Sequence, residues 1–382
     1  MGAISSWLND KNQNKAVDTI VEDTHSRLRQ RQPVLDEYMP IKTYDSRNFL
    51  AYVVQRINTL ASVISYGGEI PTTRQGKLRK LTTQMVKIAI QRLYDEETQW
   101  EMLEAMELAA ARGVEVRDRI TPDGHIIPGV SQSMAQYIFG NIEDLVTSIY
   151  DTVNVMAWQC LQYNKVNFVD FRNNTTTLID WADPEADYDH FPTALTQLGD
   201  TADKSLNTWT DVQYADGIQL LVNDCENFHE TNGFFPGCIA MSRQARNNLL
   251  RLESTKIAAR SISTAPQGTV SPKLLQDILD TRELPMIKTF DELYELENVQ
   301  GDVIKGRFLQ QNRYVFLTKG MGERAFGVTM ESKEDLHGKP KTGVYVKTET
   351  VPNKVEDVTK AVATAVPIIV NAKLTGSRQV YS

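Results

Sequence analysis

Phe308-Leu309, Asn312, the run Tyr314-Val315-Phe316-Leu317 and the glycines Gly320 and Gly322 open the stretch that decides the fold. The apolar run predicts a buried strand, and the glycines predict a turn after it. Val344-Tyr345-Val346 predicts a second strand, and Ala363-Thr364-Ala365-Val366-Pro367-Ile368-Ile369-Val370 a third. This third of the chain holds no nucleophile in a catalytic setting, no metal-ligand cluster and no phosphate loop.

The chain has 382 residues, 41% hydrophobic and 24% charged, a balance that can bury a core. Its net charge of −8 argues against coating nucleic acid by bulk attraction, and equally suits plain solubility. Cys160, Cys225 and Cys238 are odd in number and far apart, so neither a disulfide framework nor a zinc site is expected. The start, Met1-Gly2-Ala3-Ile4-Ser5-Ser6-Trp7, does not read as a secretory signal, and its match to a myristoylation pattern is loose. No stretch reaches the ~20 apolar residues of a membrane helix.

Working outward, residues 9–32 are polar and read as an arm that orders against a partner, or as a frayed terminus. Leu50, Val53, Val54, Ile57, Leu60 and Ile64 recur at helical steps, up to Gly67-Gly68. The basic segment around Arg74, Lys77, Arg79 and Lys80 is extended, and Val86, Ile88 and Ile90 alternate as in a half-exposed strand. Residues 62–93 are therefore expected to form a two-stranded excursion without a core. Asp95 should open a helix with Trp100, Leu103, Met106 and Ala110 on one face, closed at Gly113. Thr121-Pro122-Asp123-Gly124 predicts the tip of a small hairpin.

From Ser133, which forms a capping box with Gln136, one apolar stripe runs through Met134, Ile138, Ile142, Leu145, Ile149, Val153, Met156 and Cys160 to Asn164. Strand-like pieces follow at Val166, Phe168, Leu178 and Ile179. A helix is expected over 209–228, a buried strand at Cys238-Ile239-Ala240-Met241, a helix capped by Ser242, and another carrying Leu274, Leu275, Ile278 and Leu279.

The chain has no Walker loop, GxGxxG opening or GxSxG. Asp180, Asp183, Glu185, Asp187, Asp189 and His190 could be a cation loop, but Pro184 and the lack of glycine favour a solvated acidic loop. Cys225 and His229 lie four apart on a helix and could pair a thiol with a base, without a third group to orient them. The basic loop lacks interleaved aromatics, so it reads as solvated or as a contact with an acidic neighbour.

This order of pieces resembles the Hong Kong 97-like capsid fold, most closely the lambda-like branch of tailed-phage major capsid proteins. The resemblance implies an α+β fold with an amino-terminal arm (1–45), a helix (46–61) leading to an extended loop (62–93), and a peripheral domain (94–205) around a spine helix (133–164). It further implies an axial domain (206–350) and a return to the peripheral domain (351–382). The function it implies is a self-assembling subunit, in pentamers and hexamers, of an icosahedral shell that encloses double-stranded DNA without sequence-specific binding. Such a protein is no enzyme and needs no cofactor, metal or membrane. It is made in the host cytoplasm, resides in the virion, and meets portal, scaffolding and decoration proteins. Arg74, Lys77, Arg79 and Lys80 become inter-subunit contacts, and Gly67, Gly68 and Gly113 hinges. No fused scaffolding segment and no covalent cross-linking are expected. The rivals are an enzyme or ligand-binding protein with a site near Cys225 and His229, and another virion protein such as a tail component.

Overall fold

The computed structural model describes residues 11–31, 33–46, 48–54, 78–94, 96–98, 100–101, 104, 119–120, 126–127, 132–163, 165–170, 175–180, 195, 197–199, 203–262, 270–297, 303–335, 341–351 and 356–381. The chain begins with α1 (Lys11–Arg31), α2 (Pro33–Tyr38), β1 (Ile41–Thr43), β2 (Asn48–Val54), β3 (Leu78–Gln84) and β4 (Val86–Tyr94). The short β5 (Arg119–Ile120) and β6 (Ile126–Ile127) precede the long α3 (Gln132–Tyr163), and β7 (Lys165–Asp170) and β8 (Thr175–Asp180) follow it. Next come α4 (Gly217–Asn232), β9 (Cys238–Met241), α5 (Arg243–Arg251), α6 (Glu253–Ile262), α7 (Pro272–Thr281) and β10 (Ile287–Thr289). The last part holds β11 (Leu293–Glu297), β12 (Val303–Arg307), β13 (Arg313–Leu317), β14 (Gly322–Gly327), α8 (Met330–Asp335), β15 (Tyr345–Thr350), β16 (Asp357–Ile369) and β17 (Gly376–Gln379).

The first sheet is built on β16, 13 residues long and buried almost throughout. β4 pairs with it antiparallel from Asp357↔Tyr94 to Ala365↔Val86. β15 and β14 share the other side, and β1 runs parallel outside β14. Pro367 lies opposite Arg324 and beyond the last β4 partner. Because Arg324 donates its N–H outward to Pro40 O at 3.0 Å, this pair is a non-hydrogen-bonded one and the missing proline N–H breaks no ladder bond. Ala361, Ala363 and Ala365 share one face of β16, and their small side chains let α3 approach. The facing stripe of α3 is Ile142, Leu145, Ile149, Val153, Met156 and Cys160, the one predicted by periodicity.

The second sheet has the order β10-β9-β13-β17. Alternation sends Ile239, Met241, Tyr314 and Phe316 to one face, where α4 to α7 cover them. Cys238, Ala240, Val315 and Leu317 face the other way, onto Ala157, Trp158 and Leu161 of α3 with Phe290 and Phe308. Thus the last turns of α3 are buried on a second face as well. Gln162 locks that junction, donating to Phe308 O at 2.9 Å and accepting from Gln310 N–H at 2.9 Å.

A buried ion pair closes the second unit. Arg378 on β17 makes a fork with Asp224 on α4 at 2.7 and 2.5 Å, and the Tyr314 hydroxyl also donates to Asp224. Burial holds the Tyr314 phenol well above its ordinary pKa, so it remains a donor. Asn312 adds a clamp on the last residues: its side chain donates to Tyr381 O at 3.0 Å, and its carbonyl accepts from Val380 N–H at 2.8 Å.

Several expectations are corrected. Residues 48–54 form a strand, not a helix; Leu50, Val53 and Val54 fit either period, and the β-branched and aromatic run Tyr52-Val53-Val54 takes the ladder that β3 offers. The excursion does not extend to residue 93: its described strands are β2 and β3, and β4 belongs to the first sheet. The amino-terminal arm packs on its own chain, since α1 lays Val17, Ile20 and Val21 against the α3 core. α3 starts at Gln132, and the capping box expected at Ser133 and Gln136 lies outside the residues whose side chains are described. α4 starts only at Gly217, capped by Asp216, leaving Trp209 and Val212 in the segment before it. A division at residue 350 does not follow the sheets, because β14 and β15 pair in the first sheet while β17 returns to the second. Trp100 is 60% exposed, and Leu103, Met106, Ala110 and Gly113, expected on the same helix, lie outside the described residues.

Asp224→Ala strands the Arg378 guanidinium, so it should lower unfolding free energy by about 3–5 kcal/mol. Urea denaturation followed by tryptophan fluorescence measures this.

Candidate assembly surfaces

The basic loop meets the body at β2 and β3. Arg79 pairs in register with Val53 and Lys80 with Tyr52. Among the described residues these two strands form a sheet of their own, with no ladder to either larger sheet. Arg74, Lys77, Gly67, Gly68 and Gly113 lie outside the described residues, so the structure brings only Arg79 and Lys80 of that set to a defined place.

The root of the loop is one residue, Met85, between β3 and β4. It is 1% exposed and packs with Ala325, Val366 and Ile368. Gly327 makes room for it: a Cβ there would come within 2.7 Å of the Met85 sulfur and 2.9 Å of Ser46 O. Sequence periodicity identified the strand at Val86 but not its partner β16, which lies some 270 residues on.

The arm is held by one buried knot and by exposed ion pairs. Arg324 on β14 donates to Met39 O at 2.8 Å, to Asn154 of α3 at 2.5 Å, and pairs with Asp36 of α2. Further along, Arg27 of α1 meets Glu143 at 2.7 Å, and Lys341 meets Asp18. Exposed pairs of this kind contribute only ~0–1 kcal/mol each. His25 stacks on Tyr150 with centroids 5.3 Å apart.

Apolar side chains also reach solvent. On the β11–β12 ribbon these are Leu293, Val303 and Ile304; Val212 and Ile257 are exposed beside α6, and Phe234 and Phe235 after α4. An isolated ribbon is marginal in water. Here Tyr294 anchors it, lying edge-on to Phe308 at 5.3 Å.

The candidate chemistry does not assemble. Cys225 is fully buried, and desolvation pushes its thiol up to about 12, far from a reactive thiolate. His229 is exposed and sits against Phe235 at 4.7 Å, outside the core that holds the thiol. Asp180 pairs with Lys165 in the β7–β8 hairpin, while Asp183, Glu185, Asp187, Asp189 and His190 lie outside the described residues. Among the described residues no three His, Cys, Asp or Glu converge as metal ligands, and no helix is long and apolar enough to cross a membrane.

Gly327→Val should displace Met85 and cost about 1–3 kcal/mol by overpacking. Gly327→Ala should cost less, and thermal melts of the two variants test the order. At pH 8 the Cys225 thiol should resist a disulfide reagent until urea unfolds the chain.

No protein-family model matches the chain, and no curated relative matches its sequence. Solved structures do match. A prophage protein of E. coli CFT073, described as a capsid protein, is 12% identical with a TM-score of 0.52, covering 91% of this chain and 92% of that one. A phage-related protein of Bordetella bronchiseptica RB50 is 9% identical with a TM-score of 0.50, covering 94% and 96%. The likeness in fold thus runs along nearly the whole length of this chain and of both structures. The chain has the α+β, Hong Kong 97-like fold of tailed-phage capsid proteins.

Proposed function

We propose that this chain is the major capsid protein of a tailed phage, assembling through pentamers and hexamers into an icosahedral shell around double-stranded DNA. The observation that carries the reading is the near full-length likeness in fold to the E. coli CFT073 prophage capsid protein. The surfaces support it: β2 and β3 form a two-stranded sheet with no ladder to the larger sheets among the described residues, the arm adds exposed ion pairs to its buried contacts, and apolar side chains face solvent on a thin ribbon. The role is structural and non-enzymatic.

In this reading the first sheet with α3 is the peripheral unit, and the second sheet with α4 to α7 is the axial unit. The arm and loop reach neighbouring subunits, with Arg74, Lys77, Arg79 and Lys80 as contacts and Gly67, Gly68 and Gly113 as hinges. Each contact is weak, but a subunit meets several neighbours at once, so a closed shell gains stability from effective concentration. Portal, scaffolding and decoration proteins are the expected partners, and synthesis in the host cytoplasm precedes residence in the virion.

Electron microscopy of the expressed chain, beside sedimentation velocity, should show closed shells or capsomer-sized rings. Tubes would point instead to a tail component. Arg79→Glu with Lys80→Glu should abolish shells and leave a soluble, folded subunit; normal shells from that double variant would overturn the loop assignment.

A further inference from the structure

The helix α5 forms one wall of an open groove of about 590 Å³ lined by polar and charged residues. Arg243 and Arg251 stand at its two ends, both exposed, and Arg307 of β12 stands across from them. One carboxylate, Asp291, lies among them: it accepts from the Arg243 backbone N–H at 3.0 Å and pairs with Arg243 and Arg307, each at 3.5 Å. The groove therefore keeps a surplus of two positive charges on a chain whose net charge is −8. Between the arginines lie the amides Asn247 and Asn248, with Gln311 opposite. No hydrogen bond or ion pair among the described residues engages the side chains of Asn247, Asn248 or Arg251.

Two features decide what fits. Amide side chains donate and accept, which matches a peptide backbone; a phosphodiester only accepts, and Asp291 repels it. Arginine forks take carboxylates in two parallel hydrogen bonds. Arg243, Asn247 and Arg251 follow at four-residue steps, so the two arginines are ~12 Å apart along one helix face. Asp183, Glu185, Asp187 and Asp189 alternate in the sequence. Bound as an extended segment, they would put four carboxylates on one side, and acids four residues apart would stand ~13 Å apart. The spacing of the acids thus matches the spacing of the arginines.

We infer that the α5 groove is a docking site for the acidic segment 183–189 of a second copy of this chain. This rests on the shell reading only for the identity of the occupant.

The test has two readouts. A fluorescent peptide of residues 180–190 is titrated against the full chain at low salt by anisotropy. Its controls are a peptide of the same composition with the acids made contiguous, and an oligothymidylate. The wild-type chain should prefer the native peptide, and Asn247→Asp with Arg251→Glu, both at accessible positions, should weaken binding at least tenfold with an unchanged melting curve. Equal binding by that variant, equal binding of the rearranged peptide, or tighter binding of the oligothymidylate would overturn the inference. For the second readout, Glu185→Lys with Asp189→Lys, and Arg243→Glu with Arg251→Glu, are made in separate chains. Each should fail to associate alone, and the two should associate when mixed; wild-type association by either alone would overturn the groove. Peptide binding by a chain that forms no shell would leave the groove standing and count against the capsid reading. Shells from the Asn247→Asp, Arg251→Glu variant without peptide binding would do the reverse.

Discussion

The structure depends on one helix being buried on two faces. Along most of its length α3 needs a single apolar stripe, which lies on the alanine-lined face of β16. In its last turns Ala157, Trp158 and Leu161 turn a second face toward the other sheet, and Trp158 stacks on Phe290 at 4.8 Å. A helix of 32 residues is ~48 Å long, so one rigid rod fixes the distance and angle between two separately packed units. A break within those turns would expose both cores at once.

The polar interactions divide by burial. Asp224 with Arg378, and the Arg324 knot with Asn154 and Asp36, sit where water cannot compete and join segments far apart in sequence. They fix which segments meet, because a mispaired alternative would leave a charge stranded in the interior. The pairs holding α1, such as Arg27 with Glu143, are half-exposed and weak. The arm is therefore held by its apolar contacts and the Arg324 knot, and its exposed pairs add little.

The motifs singled out in the sequence do not converge on a site among the described residues. Cys225 is an instance: four residues from a histidine on the same helix, it looks like half of a catalytic pair, yet the helix turns it into the core and His229 out to solvent. The groove on α5 lay equally hidden, because Arg243, Arg251 and Arg307 read as ordinary surface charges until β12 is brought alongside α5.

Much was legible in the residues alone. The stripe on α3, the strands at Cys238–Met241 and Arg313–Leu317, the serine cap at Ser242, and the pairing of β5 with β6 all follow from local periodicity and turn chemistry. These are features whose cause lies within a few residues. What only the tertiary structure decided has its cause far away in the chain. Asn48–Val54 is a strand because β3 pairs with it, β4 leaves the loop because β16 takes it in register, and α1 packs because α3 presents a hydrophobic wall. A short apolar window fits both a helix and a strand, and the choice falls to whichever distant partner satisfies its backbone hydrogen bonds and covers its apolar side.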